Sequence, residues 1–154
     1  MSDDLRIDNL ARQLRRPLTP YFLAYDSAYA ADTYTPTYLG GSTPGTTTYT
    51  TQYGEWTRIG RLIFVMGRLV WTAATGTGNA QISLPITIVN RTDLFGAGSL
   101  DMTNVTFAAG TPLMLLQPGT AVFIMRSPAT NAASTNVAIE AAGTLNFSCW
   151  YEVA

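Results

Sequence analysis

Between Thr144 and Val153 the chain reads TLNFSCWYEV, where Leu145, Phe147, Cys149, Tyr151 and Val153 alternate with Asn146, Ser148, Trp150 and Glu152. A period of two sends successive side chains to opposite faces, so the segment is a half-buried β-strand, not a helix. A strand with one apolar face needs neighbours and a second layer, and other segments supply them. Trp56–Thr72 holds two apolar pieces separated by Gly67, with Gly60 as a bulge or bend. Ile82, Leu84, Ile86 and Ile88 alternate with polar residues after the turn at Gly76–Asn79, and Pro85 argues for an edge or a break. Further strands are expected near Ser99–Phe107, Pro112–Leu116, Val122–Met125 and Asn136–Ala141. Seven or eight short strands with Gly, Pro and Asn turns predict an all-β fold, a jelly-roll-like antiparallel β-sandwich.

Two of these segments are apolar at every position, Leu62–Met66 and Val122–Met125. Both faces of each are therefore expected to be buried, one against the opposite sheet and the other against a second subunit. The charge content agrees. Charged residues are 12 % of the chain, about half the usual share. A surface of Thr, Ser, Gly, Ala and exposed apolar groups associates unless it is covered.

Composition also removes chemistry. The chain has no His and no Lys. Imidazole bases, His metal ligands, Schiff bases and the P-loop lysine are thus excluded. A net charge of −1 offers no basic field for a phosphate backbone, so no nucleic-acid partner is expected. No stretch approaches a membrane span, and the charged N-terminus does not read as a signal peptide, so no membrane partner is expected either. The single Cys149 sits on the apolar side of its strand without a base, as a buried structural thiol.

What remains for catalysis is a carboxylate pair, drawn from Asp26, Asp32, Glu55, Asp93, Asp101, Glu140 and Glu152. These acids form no motif, and solvated surface groups are the plainer reading. Calcium through Asp93 or Asp101 lacks an Asp-rich loop. The Asn-x-Ser/Thr triplets at Asn90, Asn104 and Asn146 are expected by chance in a Thr-rich chain. Arg58, Arg61 and Arg68 pair with acids across a subunit boundary or are simply solvated. No enzyme, no cofactor and no metal is expected.

The first 53 residues differ from the rest. Residues 1–16 hold seven of the chain's nineteen charges, with acids early and Arg12, Arg15 and Arg16 late, as a helix dipole favours. Leu5, Leu10 and Leu14 lie near one helical stripe, Ile7 lies off it, and Pro17 ends the segment. Seven of eight tyrosines fall between Tyr21 and Tyr53 among Thr, Pro and Gly. They pack on the domain or a neighbouring subunit, or they offer stacking faces to sugar rings. The expected division is an arm and linker over 1–53, a short helix plus an extended segment, and a β-sandwich over 54–154.

YGEWTRIGRLIFVMGRLVWT at 53–72, the Gly-rich turn and QISLPI after it, and the closing LNFSCWYEVA resemble a module of tailed-bacteriophage virion proteins. Cys149 stands where that pattern often has Gly. The resemblance implies a trimeric β-sandwich displayed on a virion, as a capsid decoration (cement) protein or as the receptor-binding head of a tail fibre or baseplate. It makes Leu62, Phe64, Met66, Phe123 and Met125 candidates for a homotrimer interface. A chain with one short arm and no fibrous shaft suits the cement role. Leu5, Ile7, Leu10, Leu14, Tyr21 and Tyr25 would then grip the major capsid protein, and deletion of residues 1–20 would leave a folded trimer that no longer binds shells. The competing expectation is a tail protein that meets a host-surface glycan or protein through tips such as Thr43–Thr51 or Ser127–Thr135.

Overall fold

The computed structural model describes residues 29–91, 96–107, 110–129 and 131–154. Its strands, in chain order, are β1 (Tyr29–Tyr34), β2 (Tyr38–Gly40), β3 (Thr47–Ile59), β4 (Leu62–Ala74) and β5 (Ala80–Ser83). They continue with β6 (Ala97–Thr103), β7 (Leu113–Leu116), β8 (Val122–Ala129), β9 (Ala132–Asn136) and β10 (Gly143–Glu152). Every ladder between them is antiparallel. The first sheet has the order β1-β3-β4-β10-β6, and the second has β2-β5-β8-β7 with β9 paired to β8.

The inward faces of both sheets meet in one apolar cluster, the arrangement of a β-sandwich. Ile63, Val65, Leu69 and Trp71 of β4 and Leu145, Phe147, Cys149 and Tyr151 of β10 line one side. Ile82, Met114, Leu116, Phe123 and Met125 line the other. Aromatic pairs join the layers: Tyr38 stacks on Trp71 at 4.3 Å, and Phe123 tilts against Phe147 at 5.2 Å. Two of the aromatic side chains in the core satisfy their polar atoms through Glu140. Trp71 Nε1 donates to the Glu140 carbonyl, and the Glu140 amide donates to the Tyr38 hydroxyl.

The closing strand behaves as its alternation requires, with all five apolar members buried. Gly60 is not a bulge within a strand: with Arg61 it makes the two-residue turn between β3 and β4, whose last pair is Ile59 with Leu62. Its φ of +61° at the first central position suits a tight hairpin. Gly67 does not divide two strands either. β4 runs through it, and the Phe147 ring lies over the space a side chain would fill. β5 stops at Ser83, before Pro85, yet Leu84 and Ile88 are still buried.

Three expectations are corrected. The boundary at 53/54 falls inside β3, because β1, β2 and the first half of β3 are built into the sheets and Tyr38 is in the core. Thr- and Tyr-rich sequence is good strand material, and its lack of apolar alternation disguised it. A jelly roll passes successive strands between sheets, whereas here β3–β4 and β7–β8–β9 pair within one sheet. The strand expected at Asn136–Ala141 is shifted earlier, to β9, leaving Ala138 in an isolated bridge with Asn79. The helix expected within 1–16 lies outside the described residues.

Candidate functional site

Where the inward face of the first sheet is a core, its outward face has no layer over it among the described residues. The register maps this face row by row. Nearest the β3–β4 turn lie Tyr29, Ile59, Leu62 and Glu152, side by side across four strands. The next row is Ala31, Thr57, Phe64 and Trp150, and the third is Thr33, Glu55, Met66, Ser148 and Ser99. The fourth holds Tyr53, Arg68, Asn146 and Asp101. Most of the apolar side chains stand in the first three rows, with Glu152 in the first, Glu55 in the third and Arg68 and Asp101 in the fourth.

Seven large apolar side chains are exposed among the described residues, and six stand on this face: Tyr29, Tyr53, Ile59, Phe64, Met66 and Trp150. Their exposure runs from 44 % at Phe64 to 53 % at Met66 and Trp150. Scattered exposed hydrophobics are ordinary, whereas a contiguous set of this size marks a contact surface. Phe64 and Met66 form a ridge between two hollows. One, of about 400 Å³, is lined by Ala31, Thr57 and Glu55; the other, of about 310 Å³, by Ser99, Ser148 and Trp150. A third groove of about 350 Å³ lies at the turn end between Ile59, Leu62, Ile88 and Trp150.

Polar groups on and beside the face are mostly engaged with one another. Ser99 and Ser148 hydroxyls are 2.8 Å apart, Asn146 donates to Asp101, and the Tyr53 hydroxyl donates to Glu55 at 3.1 Å. That last bond and the Glu55 charge raise the Tyr53 pKa. Arg61 and Arg91 both pair with Glu152, at 2.9 and 3.0 Å. Arg58 donates to the Gly60 and Ala154 carbonyls, so neither Arg58 nor Arg61 needs an acid from another subunit. No group of three or more possible metal ligands occurs among the described residues. Cys149 is buried, and burial pushes its thiol up to about 12.

The sequence-derived interface residues separate. Leu62, Phe64 and Met66 share the outward face, alternating with Ile63 and Val65 in the core. Phe123 and Met125 are withdrawn from the candidate interface, because the structure turns them into the sandwich with no exposure. Within the single chain, β4 has its Ile63 and Val65 face covered by the core and its Leu62, Phe64 and Met66 face open. Tyr29, Ile59, Tyr53 and Trp150 were missed, although the alternation of 144–153 already set Trp150 opposite the apolar series. Leu5, Ile7, Leu10, Leu14, Tyr21 and Tyr25 lie outside the described residues, as do Asp26 and Asp93. Ser127–Thr135 spans the β8–β9 pairing rather than a free loop.

The fold and the face together define a two-sheet antiparallel β domain whose first sheet has an apolar outward surface with no layer over it among the described residues. No family model matches the sequence, and no curated protein matches it. Among solved structures, the fold is similar to part of the crystal structure of Dettilon tailspike protein (gp208), with a TM-score of 0.63 and 15 % identity. The similarity covers 80 % of this chain and 24 % of the tailspike chain, so this chain spans about a quarter of that protein's length. At that identity the likeness is one of fold.

Proposed function

We propose that this chain is a structural protein of a bacteriophage virion, with its β-sandwich serving in the tail as a receptor-binding or receptor-presenting module. The observation that carries this is the fold shared with a tailspike over 80 % of the chain. The phage-module pattern at 53–72 and in the closing strand supports it from the sequence side. Its target would be a host-surface glycan or protein. The role in this reading is binding; among the described acids Glu152 is held by two arginines, Glu140 accepts from the Thr106 amide, Asp101 accepts from Asn146 and Glu55 accepts from the Tyr53 hydroxyl.

The rival within the same class is capsid decoration, a cement trimer on the shell. Low charge and an uncovered sheet face would serve a shell lattice equally well. Its candidate shell-contact residues, Leu5 to Tyr25, lie outside the described residues, and what favours the tail reading is the fold shared with a tailspike. Gold-labelled antibody on purified virions of the phage encoding this chain tests the reading. Label at the tail is expected. Label spread over the shell would replace the tail role by decoration, and unlabelled virions that also lack the chain by mass spectrometry would overturn both.

A further inference from the structure

We propose that the groove at the β3–β4 turn end binds a neutral sugar ring, stacked on Trp150 and held by the Arg61–Glu152–Arg91 triad. This site rests on the receptor-binding reading above, to which it adds a place and a ligand class. The groove measures about 350 Å³ and is walled by Ile59, Leu62, Ile88 and Trp150. That volume falls at the small end of the roughly 300–1,000 Å³ of ligand sites, whose usual lining is apolar with a few placed polar groups. The parts are held in place by the fold. Trp150 lies in β10 with a strand on either side, paired to Phe64 of β4 and Ala97 of β6. Its indole stands half exposed on this fixed backbone, so stacking on it requires little ordering of the chain. A second wall is tied to the same strand. The Val89 amide donates to the Glu152 carbonyl at 2.8 Å, and Arg91 reaches the Glu152 carboxylate two residues further on.

The charge pattern selects the ligand. Glu152 takes one N–H from each arginine, Nε of Arg61 and Nη1 of Arg91, on different carboxylate oxygens. A carboxylate offers about four acceptor positions and a guanidinium five donors, so these bonds leave acceptor capacity on Glu152 and donor capacity on both arginines. Both arginines are about half exposed, so that capacity faces outward. An anion placed here would meet the Glu152 carboxylate, and a cation would meet two guanidiniums. A wholly apolar ligand would strip water from the triad and return no hydrogen bond. A hydroxyl both donates and accepts. Adjacent hydroxyls of a neutral sugar can therefore use Glu152 and an arginine together, while the C–H face of the ring lies on the indole.

Saturation-transfer NMR on the full chain tests the proposal, with the methyl glycosides of glucose, galactose, mannose, rhamnose and N-acetylglucosamine as probes. At least one should bind with a Kd on the order of 1–10 mM, the range a single small ring reaches. In the unmodified protein the Trp150 indole N–H signal should move on titration while those of Trp56 and Trp71 stay, a readout free of folding effects. Trp150→Ala should weaken binding about tenfold through the lost stacking surface, and Glu152→Ala should weaken it through the lost acceptors. Leu113→Ser alters an exposed apolar residue away from the groove and should leave binding intact. No transfer to any of the five glycosides at about 50 mM overturns the proposal. So does binding that a folded Trp150→Ala variant retains in full, or binding confined to methyl glucuronide, which would assign the groove to an anion. Antibody label at the tail without sugar binding would sink this site and leave the tail reading standing. Sugar binding by a chain found on the shell would do the reverse.

Discussion

Across β1, β3, β4 and β10 the inward face carries one row of Tyr34, Gly54, Gly67 and Phe147. Two glycines lie between two rings, and this row yields a quantitative test. A methyl added at Gly67 would lie 2.5 and 2.7 Å from Phe147 ring carbons and 2.9 Å from the Tyr53 carbonyl oxygen. Carbon atoms rest at about 3.5–4.0 Å, so the ring would have to move by about 1 Å. It has little room, being buried and in contact with Phe123 at 5.2 Å. Gly67→Ala should therefore cost about 1–3 kcal/mol, the range for overpacking. Phe147→Ala should cost about 3–5 kcal/mol for lost burial and the cavity. In the double variant the methyl enters vacated space, so the combined loss should fall short of the sum by about 1–2 kcal/mol. Urea unfolding at one fixed protein concentration measures the cycle, with linear extrapolation and a constant slope as the check on two-state behaviour. Phe147→Leu gives a milder cycle if the alanine variant is too unstable. Additivity within about 0.5 kcal/mol would show that the ring is not what reserves position 67 for glycine.

Other outcomes follow from the same core. Cys149, buried with its thiol raised to about 12, should resist alkylation at pH 8 in the folded protein and react within minutes in 6 M guanidinium; rapid labelling without denaturant would contradict its burial. Burial raises the pKa of Tyr38 to about 12 and pushes Tyr34 and Tyr151 up as well. Since the folded values lie above the unfolded ones, their stabilising effect is complete below pH 10 and is lost as pH rises further, by at most about 1.4 kcal/mol per group per pH unit. Urea midpoints flat from pH 9 to 11.5 would refute this. Glu152→Gln loosens both Arg61 and Arg91, but the arginines are half exposed, so the loss should stay within about 1 kcal/mol and shrink in 1 M salt.

How much was legible in the chain depended on which signal each segment carried. The alternation of 144–153 is a direct record of one face in and one face out, and β10 follows it residue by residue. Leu62–Met66 carries no such record. Ile63 and Val65 could be told from Leu62, Phe64 and Met66 only by knowing which neighbour each would face. The Thr/Tyr segment hid its strands for the opposite reason. β1 is exposed along nearly its whole length, so burial imposed no apolar pattern on it. Phe123 and Met125 show the limit of composition: an apolar run announces burial but does not say whether a sheet or another subunit supplies the cover. The outward patch needed register, since Tyr29 of β1 and Trp150 of β10 join Ile59 and Phe64 of the β3–β4 hairpin only through strand pairing.

The central claim, a virion protein of the tail, is tested most directly by copy number in purified particles. Quantitative mass spectrometry against the major shell protein would supply it. The account predicts that the chain is present at a small fraction of the shell protein's abundance. Abundance comparable with the shell protein would contradict the tail placement and assign the chain to the capsid surface, and absence from the particle would contradict the virion role itself.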